Sequence, residues 1–156
     1  MIDTRLYANP DHALVHRFMA APGTPLVVDT SPIARAMQVH ILKADTLGNV
    51  ELSFEPNAMF VQGAGVLQGG ALVAMLDFAM AFAAMTGLDP HQGCATISLN
   101  TSFLRAAPQG AYIGQGHIER RGRSMVFTQA RLLRASDGEP VASASSALAI
   151  TSAARS

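Results

Sequence analysis

Asp77 is the only polar residue between Ala71 and Met85, a run that is otherwise wholly apolar. A carboxylate drawn out of water is costly, and the same lack of water strengthens its pull on a reacting group. A carboxylate so placed can act as general base on a water molecule, or as nucleophile forming a mixed anhydride with an acyl group. Gln68, Gly69 and Gly70 precede the same run. If the run is a helix, its first amides lack internal partners and sit at the positive end of the helix dipole. Glycine lets another group come close to them. Such a spot suits an oxygen that gains negative charge, as a thioester carbonyl does on attack. Each feature alone has a plainer reading. A glycine pair also makes a tight loop-to-helix entry, and a buried Asp also serves by bonding backbone or a partner chain.

Arg120, Arg121 and Arg123 flank the turn R-R-G-R, and Arg105 ends another strand-like run. Arginine forks match phosphate oxygens. A solvated basic turn would look the same. Gln62 is a loop amide six residues before Gln68. His12 and His16 have i, i+4 spacing, but H-A-L-V-H lacks the glutamate of a zinc-protease helix, and no third ligand is in view. The expectation is no metal, with both histidines on the surface of a short helix. Cys94 has no neighbouring histidine and reads as a packed thiol. No G-x-S-x-G elbow is present.

These residues need elements to hold them. Residues 11–20 read as a short helix stopped by Pro22-Gly23. Residues 33–43 partly alternate and read as a strand, with a second strand returning through N-V-E-L-S-F-E. Residues 71–85 are long, alanine-rich and nearly free of β-branched side chains, which predicts a helix. It is apolar on every side, so it should be buried. Four strand-like runs follow, 94–105, 111–121, 124–134 and 140–150, with Gly or Pro in the turns between them. A helix apolar all round needs a sheet to wrap it. The prediction is an α+β architecture, an antiparallel curved sheet around one central buried helix. Residues 1–32 form a lead-in with the N-terminal helix, 33–151 the domain, and 152–156 a tail.

Composition narrows the function. The chain has 156 residues and zero formal net charge, which argues against a nucleic-acid binder. Only 14% of residues are charged and 49% are apolar, so part of the surface should be covered in an oligomer. The apolar run is too short and carries a charge at its centre, so no membrane partner is expected. One cysteine and no signal-like start fit the cytoplasm.

Together, G65-V-L-Q-G-G-A-L-V-A-M-L-D77, S-F-L-R at 102–105, G-R-S at 122–124 and D-G-E-P-V-A-S-A at 137–144 resemble the pattern of hotdog-fold acyl-CoA thioesterases of the phenylacetate-pathway (PaaI-like) type. The resemblance spans about residues 30 to 150. It implies the hotdog fold, hydrolysis of acyl-CoA or other acyl thioesters without a cofactor, and a homodimer, which pairing would extend to a homotetramer. It puts Asp77 on the catalytic acid and Gly69 on the amide that polarises the carbonyl. Gln62 falls where members carry Asn or Gln near the thioester. Gln68 replaces the commoner His, and Ala81 replaces a Ser or Thr that orients water. Gly70 and the arginines 105, 120, 121 and 123 are the candidates for holding substrate. A non-catalytic acyl-CoA binding module on the same fold is the alternative, and it would bind without turnover.

Overall fold

A computed structural model of the chain describes residues 3–152. Seven strands form one sheet: β1 (Leu26–Val27), β2 (His40–Ala44), β3 (Asn49–Phe54), β4 (Gln92–Phe103), β5 (Tyr112–Arg121), β6 (Met125–Arg134) and β7 (Pro140–Ser152). Their order is β1-β2-β3-β5-β6-β7-β4, and every neighbouring pair is antiparallel. Helix α1 (Pro10–Ala20) precedes the sheet in sequence, and α2 (Pro32–Ala36) is a single short turn. The central helix α3 (Gly69–Met85) lies across the inner face. Its core partners include Val50, Leu52 and Phe54 of β3, Leu132 of β6 and Ala142 of β7. This is the hotdog fold. Of the expected tail, Ser152 is the last residue of β7, and residues 153–156 lie outside the described residues.

α3 approaches β5 very closely because β5 has no side chain there. A Cβ added at Gly116 would lie 2.2 Å from the Ala79 carbonyl oxygen and 2.6 Å from its carbon. These are backbone atoms of the central helix and cannot rotate away. Gly116→Ala is therefore expected to lift α3 off the sheet and cost about 3 kcal/mol, the upper end of ordinary overpacking. A urea melt checks this through its midpoint. A midpoint equal to wild type would contradict the packing.

The structure corrects the strand expected over 33–43. Pro32–Ala36 is helical, and only His40–Ala44 joins the sheet. Ser31 caps the turn by accepting from Ala34 N–H, and Pro32 holds the first helical position. Gln38 then takes φ +49, which breaks the chain before β2.

His12 and His16 are also corrected. His12 is wholly buried. Its ring stands edge-on to Tyr7 at 5.0 Å and to His16 at 4.5 Å. The two Nε2 atoms are 3.1 Å apart, and His16 Nε2 is 3.0 Å from the Met85 carbonyl. The Tyr7 hydroxyl is 3.0 Å from His16 Nδ1. The pair pins α1 to the last turn of α3. Burial, and then the neighbouring His16, push the His12 pKa below its ordinary value, against a smaller upward pull from the carbonyls of Gln92, Leu88 and Met85. A depressed histidine binds its proton more readily in the unfolded chain. Its contribution to stability is complete above the ordinary histidine value, about pH 6.5, and is lost as pH falls toward the folded value. Melting temperature should fall with acid below that point, and His12→Gln should flatten the slope. Identical slopes in thermal melts of both proteins would remove His12 as the cause.

Candidate active site on the open stripe of the central helix

Helix α3 is not buried all round. Ala71, Leu72, Met75, Leu76, Ala79, Met80, Phe82 and Ala83 face the core, while Gly70, Val73, Ala74, Asp77, Phe78 and Ala81 form a more open stripe. Their spacing of three and four residues is that of one helix face. Asp77 sits midway along it and is half-buried rather than sealed. This corrects the expectation of full burial.

Across from the stripe runs β4, one of the two edge strands of the sheet. Its Thr96 hydroxyl donates to Asp77 Oδ1 at 2.9 Å. That bond fixes one carboxylate oxygen and leaves Oδ2 with no hydrogen bond among the described residues. Thr96 was not singled out from the sequence. It lies on another element, across a turn, and no local spacing announces it. It restores near Asp77 the kind of hydroxyl that Ala81 fails to provide. Cys94 lies nearby, its sulfur 4.0 Å from the Ala81 carbonyl. Burial, and then the charge of Asp77, push its thiol up to about 11. A thiol so placed stays protonated at neutral pH and is a poor nucleophile.

The helix start is built by the loop before it. Gln62 N–H donates to the Val66 carbonyl and Gly65 N–H to the Gln62 carbonyl, each at 2.8 Å. Gly65 takes φ +79, which a side chain would oppose. Leu67 N–H then donates to Ala107 O, and Gln68 N–H to Phe60 O. Gln68 occupies the cap position in extended backbone but makes no side-chain capping bond. Among the described residues, Gly69 N–H and Gly70 N–H make no hydrogen bond. The ring of Phe103 lies 3.3 Å from where a Gly69 Cβ would be, whereas nothing lies within 4 Å of that point at Gly70.

The other expected residues divide. Gln62 spends its carboxamide oxygen on Ala64 N–H at 2.7 Å, within its own turn. Arg105 is tied to Glu139 at 3.2 Å and donates to the Pro140 carbonyl at 2.9 Å. Arg120, Arg121 and Arg123 are exposed. Arg121 reaches over Gly87, where a Cβ would meet its Nη1 at 2.8 Å. The arginine turn thus lies by the end of α3 and Arg105 by its start, so one chain does not bring them together.

The thioesterase superfamily model matches residues 64–141, which hold the glycine pair, Asp77, Thr96 and Phe103. The chain belongs to the thioesterase superfamily. Its general chemistry is thioester hydrolysis. It is 30% identical to a phenylacetic acid degradation-related protein from Ralstonia eutropha JMP134, with a TM-score of 0.74 over 87% of this chain and 98% of that one. The fold is shared with a thioesterase family protein from Silicibacter pomeroyi at 19% identity, TM-score 0.74, over 92% and 99% of the two chains. A thioesterase from Haemophilus influenzae shares it at 17% identity, TM-score 0.69, over 78% and 83%. No curated protein matches the chain. Among the described residues, no helix is long and apolar enough to cross a membrane.

Proposed function

We propose that this chain hydrolyses acyl-CoA thioesters in the cytoplasm, as a homodimer whose sites are shared. One observation carries the reading. Asp77 stands on the open stripe of α3 with one oxygen held by Thr96, on the same helix as two unpaired amides at Gly69 and Gly70. The thioester carbonyl docks on the Gly69 amide. Asp77 then activates a water, or attacks the carbonyl carbon itself. The helix start holds the oxyanion while the C–S bond breaks. On the general-base route Asp77 passes the water's proton to the leaving thiolate; on the nucleophilic route the thiolate takes its proton from solvent, and water then hydrolyses the Asp77 anhydride to release the acid and restore the carboxylate. Thr96 keeps the carboxylate aimed throughout. No resident metal or cofactor takes part.

The dimer supports the arginine assignment. In an antiparallel pair of α3 helices, the end of one helix lies beside the start of the other. The exposed Arg120, Arg121 and Arg123 of one protomer would then approach the other protomer's Gly69, where a CoA phosphate needs cations. The edge strand β4 supports a covered surface, since Ala95, Thr96, Ile97 and Ser98 are all exposed in the single chain. Unpaired strand edges of this kind favour association.

The test is a turnover screen with detection of free thiol. It runs over CoA, carrier-protein and short pantetheine esters of aryl-acetyl, medium-chain and polyketide-like acyl groups. Hydrolysis with a preference for CoA over pantetheine esters is expected. Tight binding without turnover of any ester would replace the enzyme with a binding module.

A further inference from the structure

In the single chain Phe103 is an exposed aromatic residue at the end of β4 whose ring nonetheless reaches the start of α3. It ends β4, pairs with Ala142 of β7, and shares that buried alanine's side of the sheet. Yet 55% of its surface is exposed. The backbone that follows it is braced. The N–H groups of Leu104 and Arg105 both donate to the Val141 carbonyl. Arg105 clamps the chain again through Glu139 and the Pro140 carbonyl. Two residues further on, Ala107 accepts from Leu67 N–H, in the loop that delivers Gly69. Phe103 and Gly69 are therefore fixed to one scaffold.

The far edge of the ring lies nearest the helix start. Cζ, Cε1 and Cε2 lie 3.3, 3.5 and 3.9 Å from the Cβ position at Gly69, and Gly70 has no such neighbour. Two adjacent amides with the same lack of hydrogen-bond partners are thus set in different surroundings. Gly69 has an apolar wall on the β4 side, and Gly70 is open. Water at an amide competes for it and screens its dipole, and an apolar wall removes that competition.

We propose that Phe103 is a positioning residue for the thioester carbonyl. Its ring shields the Gly69 amide from water on the β4 side and leaves the Gly70 side open to the substrate. A Cβ at position 69 would press the ring back by a few tenths of an ångström. The proposal rests on the thioesterase reading for its effect on rate, but the shielding itself is a property of the free protein. Removing a whole oxyanion-hole donor costs about 10²–10³ in kcat, so wetting one should cost about tenfold.

Two measurements test it on the full-length chain. The first is amide-proton exchange with water, read by NMR at Gly69 and Gly70 in wild type, Phe103→Ala and Phe103→Leu. Gly69 should exchange several-fold more slowly than Gly70 in wild type. It should approach Gly70 in Phe103→Ala and recover in Phe103→Leu, while Gly70 stays unchanged. Equal rates at Gly69 in wild type and Phe103→Ala would overturn the proposal, whatever the protein hydrolyses. The second is kinetic, on the ester that the screen finds best. Phe103→Ala should lower kcat about tenfold with little change in KM, and Phe103→Leu should restore most of it. Wild-type kcat in Phe103→Ala would refute the role in positioning. So would a loss that tracks melting temperature and is not rescued by leucine. Asp77→Asn on the same ester is the control, since turnover surviving there defeats the hydrolytic mechanism and leaves the exchange result standing.

Discussion

Asp77→Asn is expected to abolish turnover and leave the folded protein intact. Asparagine keeps the shape of the side chain and can still accept from the Thr96 hydroxyl through its carbonyl oxygen. What it loses is the charge and the basic oxygen. A positioned general base is worth about 10²–10⁴ in rate, and a lost nucleophile at least as much. The loss should appear in kcat, while binding of a non-hydrolysable thioether analogue stays near wild type. Melting temperature should hold or rise slightly, because a half-buried carboxylate is removed from an apolar helix face. Steady-state kinetics, calorimetric titration with the thioether and a thermal melt separate these effects. Turnover near wild type in a folded Asp77→Asn protein would sink the mechanism.

What the sequence made legible followed from local pattern. An alanine-rich apolar run with almost no β-branching can only be the central helix, and the strands after it are bounded by Gly and Pro. Asp77 stood out because its chemistry contradicts its surroundings. The misreadings came from competing signals. Residues 33–43 carry branched apolar side chains, yet Ser31-Pro32 is a helix-start pair, and the cap won. His12 looked like a surface residue because histidine is polar. Its burial depends on a docking partner, the last turn of α3, that is 69 residues away from His16 in sequence. Thr96 was invisible for the same reason, and Phe103, although it stands in the S-F-L-R run, had no role that the sequence could show. Each gains its meaning from a residue on another element, Asp77 for one and Gly69 for the other. The open stripe was hidden differently. With Val73, Ala74, Phe78 and Ala81 on it, its side chains are as apolar as the core face, so periodicity could not separate the two.

Inactive chains of two kinds should regain activity when mixed. An α-helix rises about 1.5 Å per residue, so Gly69 and Asp77 are roughly 12 Å apart along the axis of α3. A base and an oxyanion donor must each come within about 3 Å of the reacting group, directly or through one water. One helix cannot serve both needs at one carbonyl. Two copies of α3, antiparallel about a two-fold axis, set Gly69 of one protomer against Asp77 of the other and make two equal sites. One parent is Asp77→Asn. The other is Gly69→Pro, which removes the amide proton. Proline suits this position, because Gly69 is the first residue of the helix and Gln68 before it has φ −62 and ψ 139, an extended conformation that proline favours in its predecessor. Its Cβ would meet Phe103 at 3.3 Å, so the ring must yield by a few tenths of an ångström. Each parent dimer lacks one half of both sites. A mixed dimer has one dead site and one complete site, so random exchange of equal amounts should restore about a quarter of wild-type activity. Differently tagged parents, unfolded together, refolded and purified through both tags, give the mixed dimer alone, which should reach about half. Mixed dimers that stay inactive, while both parents fold and dimerise, would show that each site is built within a single chain.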